Sequence, residues 1–215
     1  MPKIYISPSS QEANTGPNGY VEEVVMNLIA DSLIPELVRH GFDVMRNKRG
    51  NTYAGHIIES NQYKPDIHFA IHSNAMGGAA SGKARGCEVF CYDPTNTASL
   101  GTQLAQKIYA GLSAITPTAD RGIKSGKDTI SEIRNTKAPA CLVEIAFHDN
   151  PDDARWIVEN IAAISKVFLL SMIALFGIPY RCTPTESNVG ANRGIVDDIA
   201  RLIEQQKKLL GELKL

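Results

Sequence analysis

Two stretches of the sequence place acid and base side chains at the ends of apolar segments. Residues 67–72 end in His72, and residues 140–147 carry Glu144 and are followed by His148. Short apolar runs of this kind are typical of buried strands. An imidazole and a carboxylate that leave neighbouring strand ends can transfer protons or bind a metal ion. We therefore expect His72 and Glu144 to face one cleft at the carboxyl edge of a sheet.

The other histidines carry less information. A histidine beside a strand is commonly a hydrogen-bonded structural residue, and we expect this of His68, which lies about 13 Å before His72 along the predicted strand. His56 falls in a short polar helix and is expected at the surface. Neither is predicted to share a site with His72.

The rest of the sequence alternates predicted strands with predicted helices. Apolar residues recur at helical spacing in 21–40 and 99–112, and Asn150 is expected to cap a final helix. This alternation predicts an α/β fold with a single mostly parallel, mixed sheet that has helices on both faces. Loops at 76–85 and 116–137 are expected to border the cleft. The predicted strands cover residues 3–6, 42–45, 67–72, 86–92 and 140–147.

Three parts of the chain differ in character. Residues 1–176 are predicted to form the catalytic domain, residues 177–194 a linker rich in proline and glycine, and residues 195–215 an amphipathic helical appendage. Apolar residues of the last segment fall on heptad positions, so a homodimer through this helix is one expectation and docking on its own domain is the other.

Composition narrows the set of partners. The formal net charge is −1, and without a basic excess we expect no binding to nucleic acid. The apolar run at 167–178 is shorter than the roughly 20 residues that span a bilayer, so stable membrane insertion is not expected. The first residues lack the pattern of a secretory signal, which predicts synthesis in the cytoplasm. The four cysteines are expected to be free thiols, since Cys87 and Cys91 would lie about 13 Å apart on one strand.

Four segments, in this order, resemble the zinc-dependent N-acetylmuramoyl-L-alanine amidases, and more narrowly the catalytic domain of phage lysins and bacterial cell-wall hydrolases. The segments are ISPSSQEANTG, AIHSNA, ARGCEVFCY and LVEIAFHDN, and the resemblance extends over residues 3–176. It implies a zinc cofactor and peptidoglycan as the substrate, cleaved at the amide between N-acetylmuramic acid and L-alanine. It also implies an enzyme that acts on the cell wall, as a phage endolysin or as a sporulation hydrolase.

The resemblance assigns roles to individual residues. His72 matches the zinc ligand of the family's H-x-N motif, and Glu144 matches the carboxylate that serves as general base and acid. The family's second ligand is a glutamate of the first helix, for which Glu22 and Glu23 are the candidates. Glu22 is preferred because it shares the inward stripe with Val25, whereas Glu23 points about 100° away.

The chain departs from the family at the first metal ligand. Most members have a histidine after the first strand, but the first histidine of this chain is His40. We expect His148 to take the place of the third ligand, with Glu12 or Gln11 as alternatives from the first loop. Two other functions remain open: a non-catalytic peptidoglycan-binding or regulatory module with a degenerate metal site, and a zinc peptidase that cuts within the stem peptide.

Overall fold

The computed structural model describes residues 1–118 and 120–182, which form a six-stranded sheet with helices on both faces. The strands are β1 (Lys3–Pro8), β2 (Asp43–Arg46), β3 (Ile67–Asn74), β4 (Cys87–Cys91), β5 (Asp120–Ser125) and β6 (Ala140–Phe147). The helices are α1 (Glu22–Arg39), α2 (Tyr53–Tyr63), α3 (Leu100–Ser113), α4 (Ser131–Asn135), α5 (Pro151–Glu159) and α6 (Ile161–Phe176). The predicted helix at 195–215 and most of the predicted linker lie outside the described residues.

The strand order across the sheet is β2-β1-β3-β6-β4-β5. All neighbouring strands pair in parallel except β4 and β6, which are antiparallel. The prediction of a mostly parallel, mixed sheet is therefore confirmed. Because β6 lies between β3 and β4, its side chains reach partners on both sides, and this central position is what assembles the site described below.

The two faces of the sheet have cores of different size. The larger core packs α1, α3 and α6 against the sheet, with Phe69 of β3 and Phe168 of α6 in an edge-to-face contact at 5.1 Å between ring centroids. The smaller core, on the side of α4, is formed by Ala70, Leu142 and Ile133 together with Ala140. Strand residues alternate between the faces, so the side chains in register with Ala70, including His72, belong to the side of the smaller core.

Two parts of the secondary structure differ from the prediction. The segment 116–137, expected as a loop, contains the edge strand β5 and the five-residue helix α4. The sequence of this segment has no clear apolar period, because the described side chains of β5 are partly buried or exposed and α4 buries only Glu132 and Ile133. The single helix expected after Asn150 is broken at Asn160, whose φ of −121° is not helical, and α5 and α6 meet there at 70°.

The chain continues along the domain after α6. Gly177 ends the helix in the left-handed conformation with φ of 65°, as is common for a residue that follows a helix. Tyr180 then stacks on His40 at 5.2 Å between ring centroids. Within the described residues no single helix meets the length and hydropathy required to cross a membrane, and only the bent pair of α5 and α6 meets them jointly.

Candidate active site

Three acid or base side chains form a row at one edge of the sheet. His72 on β3 is the register partner of Glu144 on β6, and Glu144 is in turn the partner of Glu88 on β4. Register partners point to the same face of a sheet, so the three side chains are adjacent. The pairing of β3 with β6 shifts directly afterwards, between His72 and Asn74. Irregularities of this kind are frequent next to active sites, where they redirect side chains.

The N-terminus of α1 brings another carboxylate to His72. Glu22 is 1% exposed, and its Oε1 lies 2.9 Å from His72 Nδ1. The Ser73 backbone N–H donates to the same oxygen at 3.3 Å, and Asn14 Nδ2 donates to Oε2 at 2.6 Å. The first turn of a helix also favours a negative charge. Glu22 has the inward orientation expected from the apolar stripe, while Glu23 is partly exposed.

The ring of His72 lies between two carboxylates. Glu132 of α4 places Oε2 at 3.5 Å from His72 Nε2, on the opposite side of the ring from Glu22. Burial alone lowers the pKa of His72, but the interactions with Glu132 and Glu22 raise it well above its usual range. Burial raises the pKa of Glu22, but the contacts with His72 and Asn14 outweigh it and lower that pKa. The two carboxylates on either side of the ring therefore favour its protonated form.

Glu144 has a carboxyl oxygen that is buried and unpaired. Its Oε2 has no hydrogen-bond partner among the described residues, although the residue as a whole is partly exposed. Burial, opposed by His72 and reinforced by Glu22 and Glu88, raises the pKa of Glu144 to about 8. A carboxyl group with a pKa near neutrality at the border of a cleft is suited to general acid–base catalysis.

Glu88 is held in place by three side chains. Asn74 Nδ2 donates to its Oε1 at 2.5 Å, while Arg121 Nε at 3.3 Å and Lys124 Nζ both contact its Oε2. The sequence left Glu88 and Arg121 open as substrate-binding or scaffold residues. Glu88 is ion-paired with Arg121 and Lys124 and lies next to Glu144 in the sheet. A second carboxylate beside Glu144 favours the protonated form of Glu144.

His148 is not brought to the pair formed by Glu22 and His72. Its Nδ1 donates to the backbone oxygen of Ser73 at 2.8 Å, and its ring stacks on Tyr20 at 5.5 Å between centroids. Within the residues that the structure describes, no three His, Cys, Asp or Glu side chains are grouped as a metal site. His148 directly follows the last residue of β6, and its ring lies against Tyr20, just before α1.

The comparison with known families decides the classification. Residues 4–167 match the sequence model of the N-acetylmuramoyl-L-alanine amidases. The chain belongs to this family. Its members include LytC of Bacillus subtilis, an N-acetylmuramoyl-L-alanine amidase, which is 30% identical over 156 residues, corresponding to 70% of this chain and 30% of LytC. The probable cell wall amidase LytH of Staphylococcus saprophyticus is 25% identical over 154 residues, 71% of this chain and 49% of LytH. The chain thus spans half or less of the length of these relatives.

Solved structures of the family share the fold. An N-acetylmuramoyl-L-alanine amidase from Clostridium difficile superposes with a TM-score of 0.73 at 19% identity, over 82% of this chain and 97% of that one. The catalytic domain of the CD27L endolysin superposes with a TM-score of 0.64 at 20% identity, over 84% of this chain and 100% of the domain. At these identities the likeness establishes the α/β architecture predicted from the sequence.

Zinc dependence is characteristic of the family, and the side chains around His72 offer several donor groups for such an ion. Glu22 Oε1 and His72 Nδ1 are at the hydrogen-bond distance of 2.9 Å, shorter than the roughly 3.3 Å between two tetrahedral ligands that each lie roughly 2.0–2.1 Å from one zinc ion. Gln11 is the third polar group at this point, with Nε2 at 3.5 Å from His72 Nδ1. One imidazole and one carboxylate fit a divalent cation, and Gln11 would complete the set through its Oε1, which accepts from Asn14 Nδ2 in this structure. An amide oxygen is a weaker ligand for zinc than a second imidazole.

The prediction from sequence missed two buried polar residues. Glu132 fell in the expected loop at 116–137, and it is 1% exposed. His56, expected at the surface, is 2% exposed, which makes that expectation wrong. Its ring lies at hydrogen-bond distance from Ser7 Oγ and Asn47 Nδ2. His68, in contrast, is buried and bonded to Ser60 and Glu132, as expected. The only sequence signal for Glu132 is its position between two isoleucines.

Proposed function

We propose that this family member is a zinc-dependent N-acetylmuramoyl-L-alanine amidase that hydrolyses the amide between N-acetylmuramic acid and the L-alanine of peptidoglycan. The observation that carries this proposal is the contact between Glu22 and His72 at 2.9 Å, beside a glutamate whose pKa is raised to about 8. A metal-binding pair next to a proton-transferring carboxyl group is what hydrolysis of an amide at neutral pH requires.

We assign the ligand role to Glu22 and His72, with Gln11 as the third group. A zinc ion bound by them would polarise the scissile carbonyl and the attacking water. Gln11 is preferred to His148 because its side chain lies next to His72, whereas His148 joins no metal-binding group with Glu22 and His72 among the described residues. Glu12 is exposed, and no contact of its carboxylate with the pair supports it as a ligand.

Glu144 carries the proton transfer in this proposal. The carboxylate takes a proton from the attacking water and returns it to the nitrogen of the leaving L-alanine. Its position as the register partner of His72 supports this role, since the two side chains then flank the same point of the cleft. A nearby cation favours the ionised form of a carboxyl group, so the pKa of Glu144 is expected to fall when the metal site is filled. Proton transfer by a positioned side chain contributes roughly 10²–10⁴-fold to the rate.

The bond that is cleaved can be identified by digesting purified peptidoglycan with the full chain in the presence of zinc. Mass spectrometry should find stem peptides with a free L-alanine amine and glycan strands without them. Peptides with a new amine elsewhere would indicate a peptidase, and undigested wall would favour a binding module. Glu144→Gln should lower the rate by about 10²–10⁴-fold. Glu23→Gln on α1 also removes one negative charge and is the control, and it should leave the rate unchanged.

Zinc content tests the ligands separately from activity. The unaltered chain and Glu23→Gln should each bind one zinc ion, while Glu22→Gln and His72→Ala should lose it. Gln11→Ala should weaken zinc binding and His148→Ala should leave it unchanged. Retention of full affinity in Gln11→Ala together with a loss in His148→Ala would reverse the assignment of the third ligand.

The biological setting that we propose is that of a phage endolysin acting on the host cell wall. Similarity in fold to the catalytic domain of the CD27L endolysin supports this setting, although bacterial cell wall amidases are related as well. An endolysin made inside a cell should leave the culture turbid until the inner membrane is permeabilised, and then clear it within minutes. Unchanged turbidity after permeabilisation of cells that contain active enzyme would contradict this setting.

A further inference from the structure

Glu132 is a buried carboxylate next to the site that the proposed mechanism does not use. Its Oε1 accepts a hydrogen bond from Ser7 Oγ at 2.6 Å and lies 3.1 Å from His68 Nε2. Its Oε2 faces the other way, at 3.5 Å from His72 Nε2. The two oxygens thus have different surroundings: Oε1 is bound to the interior of the domain, and Oε2 is directed at a proposed metal ligand.

The contacts of Oε1 fix the carboxylate in position. Ser7 is 1% exposed and His68 is fully buried, so water does not compete for either contact with Oε1. His68 is itself held through its Nδ1 by Ser60 Oγ at 2.9 Å. A side chain with such anchored partners has little rotational freedom, and the direction of Oε2 toward His72 is therefore set by β1, α2 and β3 together.

The position of Oε2 gives a proton on His72 Nε2 an acceptor inside the domain. An ionised carboxylate only accepts hydrogen bonds, and Glu132 Oε2 faces Nε2 while Glu22 Oε1 faces Nδ1. A cation bound between Nδ1 and Glu22 would take the place of the proton on Nδ1, and the proton on Nε2 would stay directed at Glu132. Metal-binding histidines commonly donate their second N–H to a carboxylate, which fixes the tautomer and the orientation of the ring.

We propose that Glu132 is a positioning residue that holds His72 in the tautomer and orientation needed to bind the cation through Nδ1. This inference rests on the proposed metal site and adds a residue to it. The two oxygens distinguish this role from simple packing, because Oε1 joins α4 to Ser7 and His68 while Oε2 faces His72.

Two variants separate the functions of the two oxygens. Glu132→Gln replaces the acceptor that faces His72, and zinc affinity, measured by competition with a chromophoric chelator, should fall by roughly 10–100-fold. Ser7→Ala removes a partner of Oε1 and leaves Oε2 in place, so its zinc affinity should stay within about threefold of the unaltered chain. Circular dichroism should confirm that each variant is folded. If Glu132→Gln does not fold, Glu132→Asp keeps the charge but withdraws it from His72, and the same loss of affinity is expected.

Nitrogen-15 NMR of the zinc-loaded protein gives a second measure that packing alone would not change. In the unaltered chain His72 should show a proton on Nε2 and metal-shifted Nδ1, and in Glu132→Gln the Nε2 proton should exchange faster with water. Zinc affinity within threefold of normal in the folded Glu132 variants would overturn the positioning role. Absence of zinc binding by the unaltered chain would instead overturn the metal site, and the role of Glu132 with it.

Discussion

Replacement of Glu144 by glutamine should make the stability of the metal-free protein less dependent on pH. The pKa of this group is 4.5 in its reference state and about 8 in the folded protein. Between these values the folded protein retains a proton that the unfolded chain has released, so the stability of the unaltered protein falls as the pH rises. The loss begins above pH 4.5 and is complete above pH 8. Glutamine does not titrate and therefore removes this loss.

The size of the effect follows from the pKa difference. One pKa unit corresponds to about 1.4 kcal/mol, which sets a ceiling of about 5 kcal/mol for the loss. Because Glu144 is partly exposed, solvent screening lowers the measurable value to roughly 2–3 kcal/mol. For a domain of this size such a difference corresponds to about 4–12 °C in melting temperature.

Urea unfolding in EDTA at intervals between pH 4.5 and 9 measures the effect directly. The difference in unfolding free energy between Glu144→Gln and the unaltered chain should grow in favour of the variant across this range. Any penalty from the new amide is independent of pH and shifts the whole curve without changing its slope. Glu159→Gln, which removes an exposed carboxylate at the end of α5, is the control for the change in charge. Parallel curves for Glu144→Gln and the unaltered chain would refute the assignment of a desolvated carboxyl group at this position.

Three further predictions concern the scaffold. Phe168→Ala removes the ring that packs edge-to-face on Phe69, and it should lower the unfolding free energy in urea by about 3–5 kcal/mol. Asn150→Ala removes the side chain that accepts from two backbone N–H groups of α5, and the same measurement should give a loss of about 1–2 kcal/mol. A thiol reagent added to the folded protein should label the exposed Cys182 at once, and the three buried thiols only after denaturant is added.

The sequence contained enough information for the elements that bury a regular apolar face. The helical stripe that includes Val25 predicted the inward orientation of Glu22, and the Glu22 side chain is buried in the structure. The apolar run ending in His72 predicted β3, and the apolar run around Glu144 predicted β6. These inferences succeed because a period of 3.6 or 2 residues fixes which side chains share a face. The free thiols of Cys87 and Cys91 were predicted from the rise of a strand, which places the two residues too far apart for a disulfide.

The residues whose surroundings could not be predicted from the sequence depend on contacts distant in sequence. His56 lies in a polar helix, yet α2 turns it toward Ser7 of β1, and no local pattern encodes that packing. Glu132 is 60 residues from its partner His72 in the chain, as their numbers show, and its helix is too short to have a recognisable stripe. His148 was predicted as a ligand because it follows β6; in the structure its ring stacks on Tyr20 and its Nδ1 bonds Ser73, and zinc binding by His148→Ala decides its role.

The central strand of this sheet is the last one to be synthesised. Until residues 140–147 leave the ribosome, β3 and β4 each present an open edge toward the place that β6 will occupy, and open edges are the surfaces through which chains aggregate. Pairing over such long sequence separations is also slow. An incomplete chain therefore carries Glu22 and His72 without Glu144, and the proposed hydrolytic centre is assembled only when translation of the domain is nearly finished.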